Sequence, residues 1–488
     1  MTTTVNLRKL LHRKSWEMCT PCLSALSVTN TSSGSFVVSD KYNVVPDSLA
    51  FFVQNAAAIY RYDGNEDAWV QLPGSGLPGT FAAGACGEFK GLGAMGGTFT
   101  QAATGGSAGS IITSKTIARS LVGRRLRVVA GTGMGFDGLI TENTIGASAV
   151  IQVNSTVVFD VTTQFQIFSG SLWFMNAGTT AVGFGVYDLA TNAWTTKSVT
   201  NLPVAWGTEG QLISALGMAA FASGTATSAT TGTLTNTAKS WQTNQWANYQ
   251  VRITAGTGKG QLRAIASNTA TVLTIATAWT IMPDATSVYS LEANDDCLYL
   301  LGNATTALYK FTVSTNTWAV LTPTTPRAAA AGAGCSCNFI DNVSGWDLQA
   351  GDIPKTLSAA LGLYKQNGRF LFSFRGGATN VLDIYDVALN TWVNAVAYGN
   401  QQETFTTGSC SLDFDGDIYL QKEATGRIFR FSVADFVMQA FAANPGVQAA
   451  VVAGMKMFML PYVDGGTKIN FLYTQRHTGN ELYRMLVI

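Results

Sequence analysis

Four short motifs in this 488-residue chain have residue types that could do chemistry. Gly133-Met-Gly135-Phe-Asp-Gly138 has the spacing of a dinucleotide fingerprint and follows the apolar run that begins at Leu126. Pyrophosphate binding needs a helix N-terminus directly behind those glycines. Residues 139–148 show no helical period, so the glycines read as a hairpin turn and no cofactor is expected. Cys19 and Cys22 form one C-x-x-C, and Cys335 and Cys337 lie closer still. A zinc site takes four ligands. No second C-x-x-C exists and the two histidines, His12 and His477, sit at opposite ends, so no metal site is expected. Asp63, Asp188 and Asp386 recur at one position of a repeat. Catalysis would use non-equivalent carboxylates, whereas an aspartate that caps its own turn recurs by structure. Asp295-Asp296 and Asp415 with Asp417 read as turn residues in the same way, and a weak Ca²⁺ site there is the competing reading. No catalytic residue is assigned, and the chain is expected not to be an enzyme.

Composition narrows the partners. Hydrophobic residues are 47%, enough for a sizeable core, and charged residues only 12%. Thirty Lys+Arg against 29 Asp+Glu leave a net charge of +1, without the basic excess that phosphate neutralisation requires, so nucleic acid is not an expected partner. The first 22 residues lack the apolar stretch of a secretory signal, and no apolar run approaches the roughly 18 residues of a membrane span. Seven cysteines, thinly spread, do not suggest a disulfide framework.

The elements that position these residues are written as a repeat. An aromatic precedes a tryptophan by seven residues at Tyr62 and Trp69, Tyr187 and Trp194, Phe311 and Trp318, and Tyr385 and Trp392, with Asn or Asp two residues before the Trp. Phe431 and Met438 form a degenerate copy, and Ile469-NFLY a sixth without the Trp. Upstream of each lies a short apolar strand and a polar turn, as in an antiparallel meander. Runs of small residues, such as 82–87, 328–335, 406–410 and 449–454, are expected to form innermost strands crowded about an axis, with Cys86, Cys335 and Cys410 as packing residues.

This pattern resembles the Kelch-type β-propeller repeat, whose blades are four-stranded meanders with a Tyr–Trp pair packed between blades. The resemblance implies an all-β fold, a Kelch-like propeller of about six blades, five or seven being the alternatives. The four aromatic–Trp pairs are then blade-packing residues. The ring is expected to close by pairing the C-terminal strand Leu482-YRMLVI with an N-terminal strand near Ser35-FVV.

Spacings of 125, 124 and 74 between successive Trp, and of 46 from Trp392 to Met438 in the Trp position, show that the first two intervals carry roughly 70 extra residues each. Residues 121–144 and 246–269 align at an offset of 125, matching Arg127 with Arg252, Gly135 with Gly260 and Asn143 with Asn268. Each insert therefore reads as a small β-module, extruded from a loop between blades and too long to be a plain loop. The organisation follows: a tail at 1–34, blade 1 at 35–105, a module at 106–170, blade 2 at 171–223, a module at 224–291, and the remaining blades and ring closure at 292–488. Trp241, Trp246 and Trp279 fall outside the blade pattern and are a candidate interaction surface.

The second insert, with its ITAGTGKGQ turn and IASNTATVLTIATAW strand, resembles a module that recurs in tailed-bacteriophage virion proteins. The resemblance covers 224–291 well and 106–168 loosely. It implies a non-enzymatic structural protein of a tail, neck or baseplate, made in the host cytoplasm and resident in the virion. Its partners would be other virion proteins and further copies of itself. A host-surface glycan adhesin is the alternative.

Overall fold

The computed structural model describes residues 16–19, 36–39, 49–53, 59–73, 76, 79, 81, 85–90, 98–176, 183–202, 210–214, 220–292, 294, 296–302, 305–332, 335–339, 369–400, 403–406, 409–414, 416–422, 425–433, 435–442, 456–464, 467–475 and 482–487. Cys22, His12 and His477 lie outside them. Every regular element among the described residues is a strand, so the fold is all-β. No described helix is long and apolar enough to cross a membrane.

Strand pairing sorts the described residues into six blades and two seven-stranded modules. Blade 1 is Phe36–Ser39, Leu49–Val53, Ile59–Asp63 and Ala68–Leu72, ordered from the centre outward. Blade 2 is Cys86–Lys90, Ser171–Met175, Phe184–Asp188 and Ala193–Lys197. Blade 3 is Gln211–Ile213, Cys297–Leu301, Leu308–Thr312 and Thr317–Val320. Blade 4 is Ser336–Phe339, Phe370–Phe374, Leu382–Asp386 and Thr391–Val396. Blade 5 is Cys410–Phe414, Asp417–Gln421, Ile428–Ser432 and Val437–Ala442, edged by a short parallel strand, Gly399–Asn400. Blade 6 is Lys456–Asp464, Thr467–Gln475 and Leu482–Val487, completed by Trp16–Met18 from the other end of the chain. Each first strand touches the first strand of the next blade, and Lys456–Asp464 touches Phe36–Ser39, so the six sheets form a closed ring.

The repeat motif is explained residue by residue. Tyr62, Tyr187, Phe311 and Tyr385 stand directly across the strand pair from Trp69, Trp194, Trp318 and Trp392. Ring centroids are 4.9, 4.5, 5.1 and 5.2 Å apart. Such pairs add about 0.5–1.5 kcal/mol beyond their buried area. The aspartates cap the intervening turn: Asp63 accepts the Asn65 N–H at 2.9 Å, Asp188 that of Ala190 at 2.7 Å and Asp386 that of Ala388 at 2.9 Å. The Asn or Asp before the Trp has a left-handed backbone, with φ of 49° at Asp67, 51° at Asn192, 54° at Asn316 and 49° at Asn390. Short polar side chains tolerate that region best among non-glycine residues.

Blades have no cores of their own. Phe52 and Tyr62 of blade 1 pack on Phe458, Phe471 and Tyr473 of blade 6. Phe51 and Leu49 on the other face pack on Leu172, Phe174 and Tyr187 of blade 2. The same arrangement continues from blade to blade through four further clusters. Indole N–H groups add polar links, Trp194 donating to Pro73 O at 2.9 Å and Trp318 to Ser198 O at 3.1 Å, each in the preceding blade or the segment that leaves it.

Three sequence expectations change. Leu482–Val487 pairs with Trp16–Met18, not with the strand near Ser35, because Phe36–Ser39 is already the innermost strand of blade 1. Part of the expected tail is thus a blade strand, tied by Cys19 N–H to Leu482 O at 2.8 Å and by Arg484 to Glu17 at 3.0 Å. Of the runs of small residues, Cys86-Gly87 and Cys410 open the innermost strands Cys86–Lys90 and Cys410–Phe414, residues 328–332 and Cys335 lie before the strand Ser336–Phe339, and 449–454 lie outside the described residues. Cys86 and Cys410 are buried at the starts of their strands, and Cys335 is buried just before Ser336. The modules leave from within blades 2 and 3, between the first and second strands, so each blade's innermost strand lies upstream of its module.

The closure generates a test. Leu482 and Leu486 are buried against blade 1, worth about 1.5–3 kcal/mol each. Deleting residues 482–488, or residues 1–19, is expected to lower the melting temperature by at least about 5 °C. An unchanged melt in both truncations contradicts this closure.

Candidate functional site

The two modules are the additions that a propeller does not need, and they meet. In module 1 the strands run Thr98–Ala102, Gln164–Phe168, Arg125–Ala130, Asp137–Asn143, Val150–Val153, Ser110–Ile112 and Gly105–Ser107 across the sheet. Module 2 has the identical order: Ala220–Thr225, Val288–Glu292, Gln250–Ala255, Leu262–Asn268, Val272–Ile275, Thr233–Thr235 and Ser228–Thr230. In each, the entering strand pairs antiparallel with the leaving one, so the module stands on a two-stranded stalk. The entering strands begin at Thr98 and Ala220, before the boundaries at 106 and 224 expected from sequence.

The duplicated residues do the same work twice. Asn143 accepts the Leu121 N–H and Asn268 the Trp246 N–H, both at 2.7 Å. Each amide also donates to two carbonyls, Arg119 and Thr144 in module 1, Gln242 and Thr269 in module 2. Gly131 and Gly256 both have φ of 73°, and a Cβ on either would lie within 2.0 Å of Thr162 O or Thr286 O. No other residue fits there. Thr132 donates to Asp160 at 2.7 Å and Thr257 to Asp284 at 2.8 Å, closing equivalent turns. The glycine motif at 133–138 is therefore a hairpin turn, with Arg125–Ala130 and Asp137–Asn143 as its arms.

The two turns touch. A Cβ on Gly260 would sit 3.3 Å from the Gly135 backbone, and one on Gly135 would sit 3.0 Å from the Lys259 side chain. Beside this contact lies a cleft of about 460 Å³. Module 1 contributes Val129, Ala130, Met134 and Gln166, and module 2 contributes Gln250, Arg252, Leu262, Arg263, Ala264 and Thr280. Arg252 is buried and bidentate on Glu292, with contacts of 2.9 and 3.0 Å. Its equivalent, Arg127, is also buried but pairs with Asp137 at 2.8 Å, since Phe168 occupies the place of Glu292 and lies under the guanidinium. Burial lowers the Arg127 pKa from the ordinary arginine value, positive Arg252 lowers it further, and Asp137 opposes both. Arg263 lies over the Trp279 ring and donates to Ala278 O and Thr280 Oγ1.

The tryptophans proposed as an interaction surface are placed otherwise. Trp246 and Trp279 are in the core of module 2, and Trp241 is half-buried against it. Trp279 donates to Thr233 O at 3.1 Å. A module of this size gains its core from just such residues. The cleft residues were missed because Gln, Arg and Thr on alternate strands carry no distinctive spacing. Among the described residues no group of three His, Cys, Asp or Glu is placed to hold a metal ion. Burial raises the Cys19 thiol to about 12.

No family model and no curated protein matches the chain. Solved structures that resemble it include a fucose-specific lectin from Aleuria aurantia, 9% identical, with 94% of each chain covered and a TM-score of 0.39. Others are Sqt1 from Saccharomyces cerevisiae, 9% identical over 94% of this chain and 100% of that one, TM-score 0.31, and U3-55K, 8% identical over 97% and 98%, TM-score 0.34. The six-bladed fold rests on the strand pairing itself.

Acid should loosen the modules. Hydrogen bonds from Thr162 and Thr132 hold Asp160 below the usual carboxylate value, and those from Thr286 and Thr257 do so for Asp284. A carboxyl depressed in the folded state contributes stability above its unfolded pKa, and that stability is lost as pH falls through the lowered value. Melting is therefore expected to hold level from about pH 7 to 5 and to fall below about pH 4. Asp160→Asn with Asp284→Asn should blunt that fall, and an acid response identical to the native chain's contradicts the assignment.

Proposed function

We propose that this chain is a non-enzymatic structural component of a tailed-phage particle, in its tail, neck or baseplate. The ring is a rigid platform, and the paired modules make its assembly contacts. One observation carries this reading: two copies of a single β-module stand on adjacent blades and dock on each other, in a chain whose second module resembles one found in virion proteins. A device kept twice, with its turns and caps intact in both copies, serves contact by shape more readily than chemistry by unique residues. The partners in this reading are other virion proteins and further copies of the chain, with assembly following synthesis in the host cytoplasm.

A second reading, attachment to a host-surface glycan, draws on the cleft. Gln166, Gln250, Thr277 and Thr280 bring amides and hydroxyls to its wall, groups that pair with sugar hydroxyls.

Purified particles decide between them. The structural reading expects the chain at a fixed copy number per particle, retained through washing, and its absence from particles contradicts it. Blocking of adsorption by the free protein would favour attachment instead.

A further inference from the structure

The cleft between the modules is lined by polar groups that the fold does not use. Gln250 lines it and is only 5% exposed. Its side-chain amide bonds to no described residue. With so little of it exposed, the amide can reach only what the cleft holds. Arg252, two residues on and so on the same face of the strand, is 4% exposed and lines the cleft as well. Glu292 takes its Nε and Nη2, which leaves Nη1 for a ligand. Arg263 completes the set. Its guanidinium donates to Ala278 O, Leu262 O and Thr280 Oγ1 at 3.0, 2.8 and 2.9 Å and rests on the Trp279 ring, so it is held in place by neutral groups. Among the described residues it has no carboxylate partner, whereas Arg125 and Arg127 share Asp137 and Arg252 has Glu292. Asp296, the carboxylate that lines the cleft, spends its oxygens on Ser314, accepting from the N–H at 2.8 Å and from Oγ at 2.5 Å.

These donors belong to one module only. At the offset of 125, Gln250 corresponds to Arg125, which is exposed and bound to Asp137, and Arg263 corresponds to Gly138. The features kept in both modules, the Asn caps and the glycine turns, hold the sheets together. The features particular to module 2 at the cleft add an amide and a guanidinium there. The volume of about 460 Å³ lies within the roughly 300–1,000 Å³ of ligand clefts. Two guanidinium groups beside an amide fit a carboxylate, because charge-assisted hydrogen bonds to guanidinium are strong and directional. Val129, Met134 and Leu262 give the same cleft an apolar lining, and Thr277 and Thr280 bring hydroxyls, which together suit a sugar ring with its apolar face and its polar edge.

We infer that the cleft binds an acidic sugar, its carboxylate held by Arg263 and by Nη1 of Arg252 and its ring hydroxyls by the Gln250 amide. This rests on the attachment reading above and narrows its ligand from glycans in general to those that carry a carboxylate. Calorimetric titration of the full chain tests it. The probes are an oligoglucuronate and sialyllactose, and the controls are the same sugars with their carboxyls reduced to alcohols. At least one acidic probe is expected to bind at up to about 1 mM, and its reduced form at least about tenfold more weakly. Which of the two binds distinguishes a uronate from a sialate. Gln250→Leu is expected to weaken binding by a similar factor with the melting temperature unchanged or raised, because the native amide supports nothing within the fold. Arg263→Gln is expected to abolish the preference for the acidic form. Equal binding of acidic and reduced probes, or variants that bind like the native chain, would overturn this inference alone and leave the attachment reading standing. A chain that binds none of these sugars would overturn both.

Discussion

The structure depends on one constraint: no blade can bury its own faces. A four-stranded sheet carries apolar residues on both sides in this chain, as the uniformly buried strands Ser171–Met175, Cys297–Leu301 and Phe370–Phe374 show. Only a neighbouring sheet can cover each side, and an open stack would always leave two sides wet. The ring removes that problem, and the six inter-blade clusters are its consequence. Closure by Trp16–Met18 then matters out of proportion to its length. It draws Trp16–Met18 and Leu482–Val487 into one sheet, so a contact between residues more than 450 apart in sequence holds the ring together.

Buried polar groups tighten the ring locally. Asp383 sits between Arg327 at 3.0 Å and Arg375 at 2.7 Å, and Arg369 pairs with Asp386 at 3.0 Å, all within or beside blade 4. Burial pushes the Asp383 carboxyl up, but hydrogen bonds from Arg375 and Ala395 and the charge of Arg327 outweigh it, so it lies below the usual range. Removing either partner of such a pair would strand a charge in a dry site. Against this fixed background the modules are free to vary where they face outward. They keep Asn143 and Asn268 in equivalent roles, yet change the acidic partner of Arg127 and Arg252 and the aliphatic surface around Leu139 and Ala264.

Local features were legible in the sequence because their causes are local. The seven-residue spacing from Tyr62 to Trp69 is a cross-strand pair over a capped turn, and the Asn or Asp two residues before each Trp marks a left-handed backbone. The offset that joins Arg127 to Arg252 marked the duplication directly. Long-range choices were not legible. Nothing about Trp16-Glu-Met singles it out over Ser35-FVV as the partner of the C-terminal strand. The site from which each module leaves was hidden because an inserted unit separates two strands that pair only in space, Cys86–Lys90 and Ser171–Met175. Trp246 and Trp279 stood out by type, but burial depends on the sheet that surrounds them. The cleft combines alternate residues of two modules, and no single stretch of chain shows it.

A density map of the isolated chain tests the central claim most directly. The account expects six lobes around a central axis, with two touching projections on one face above adjacent blades. An open arc, five or seven lobes, or projections that stand apart would contradict it.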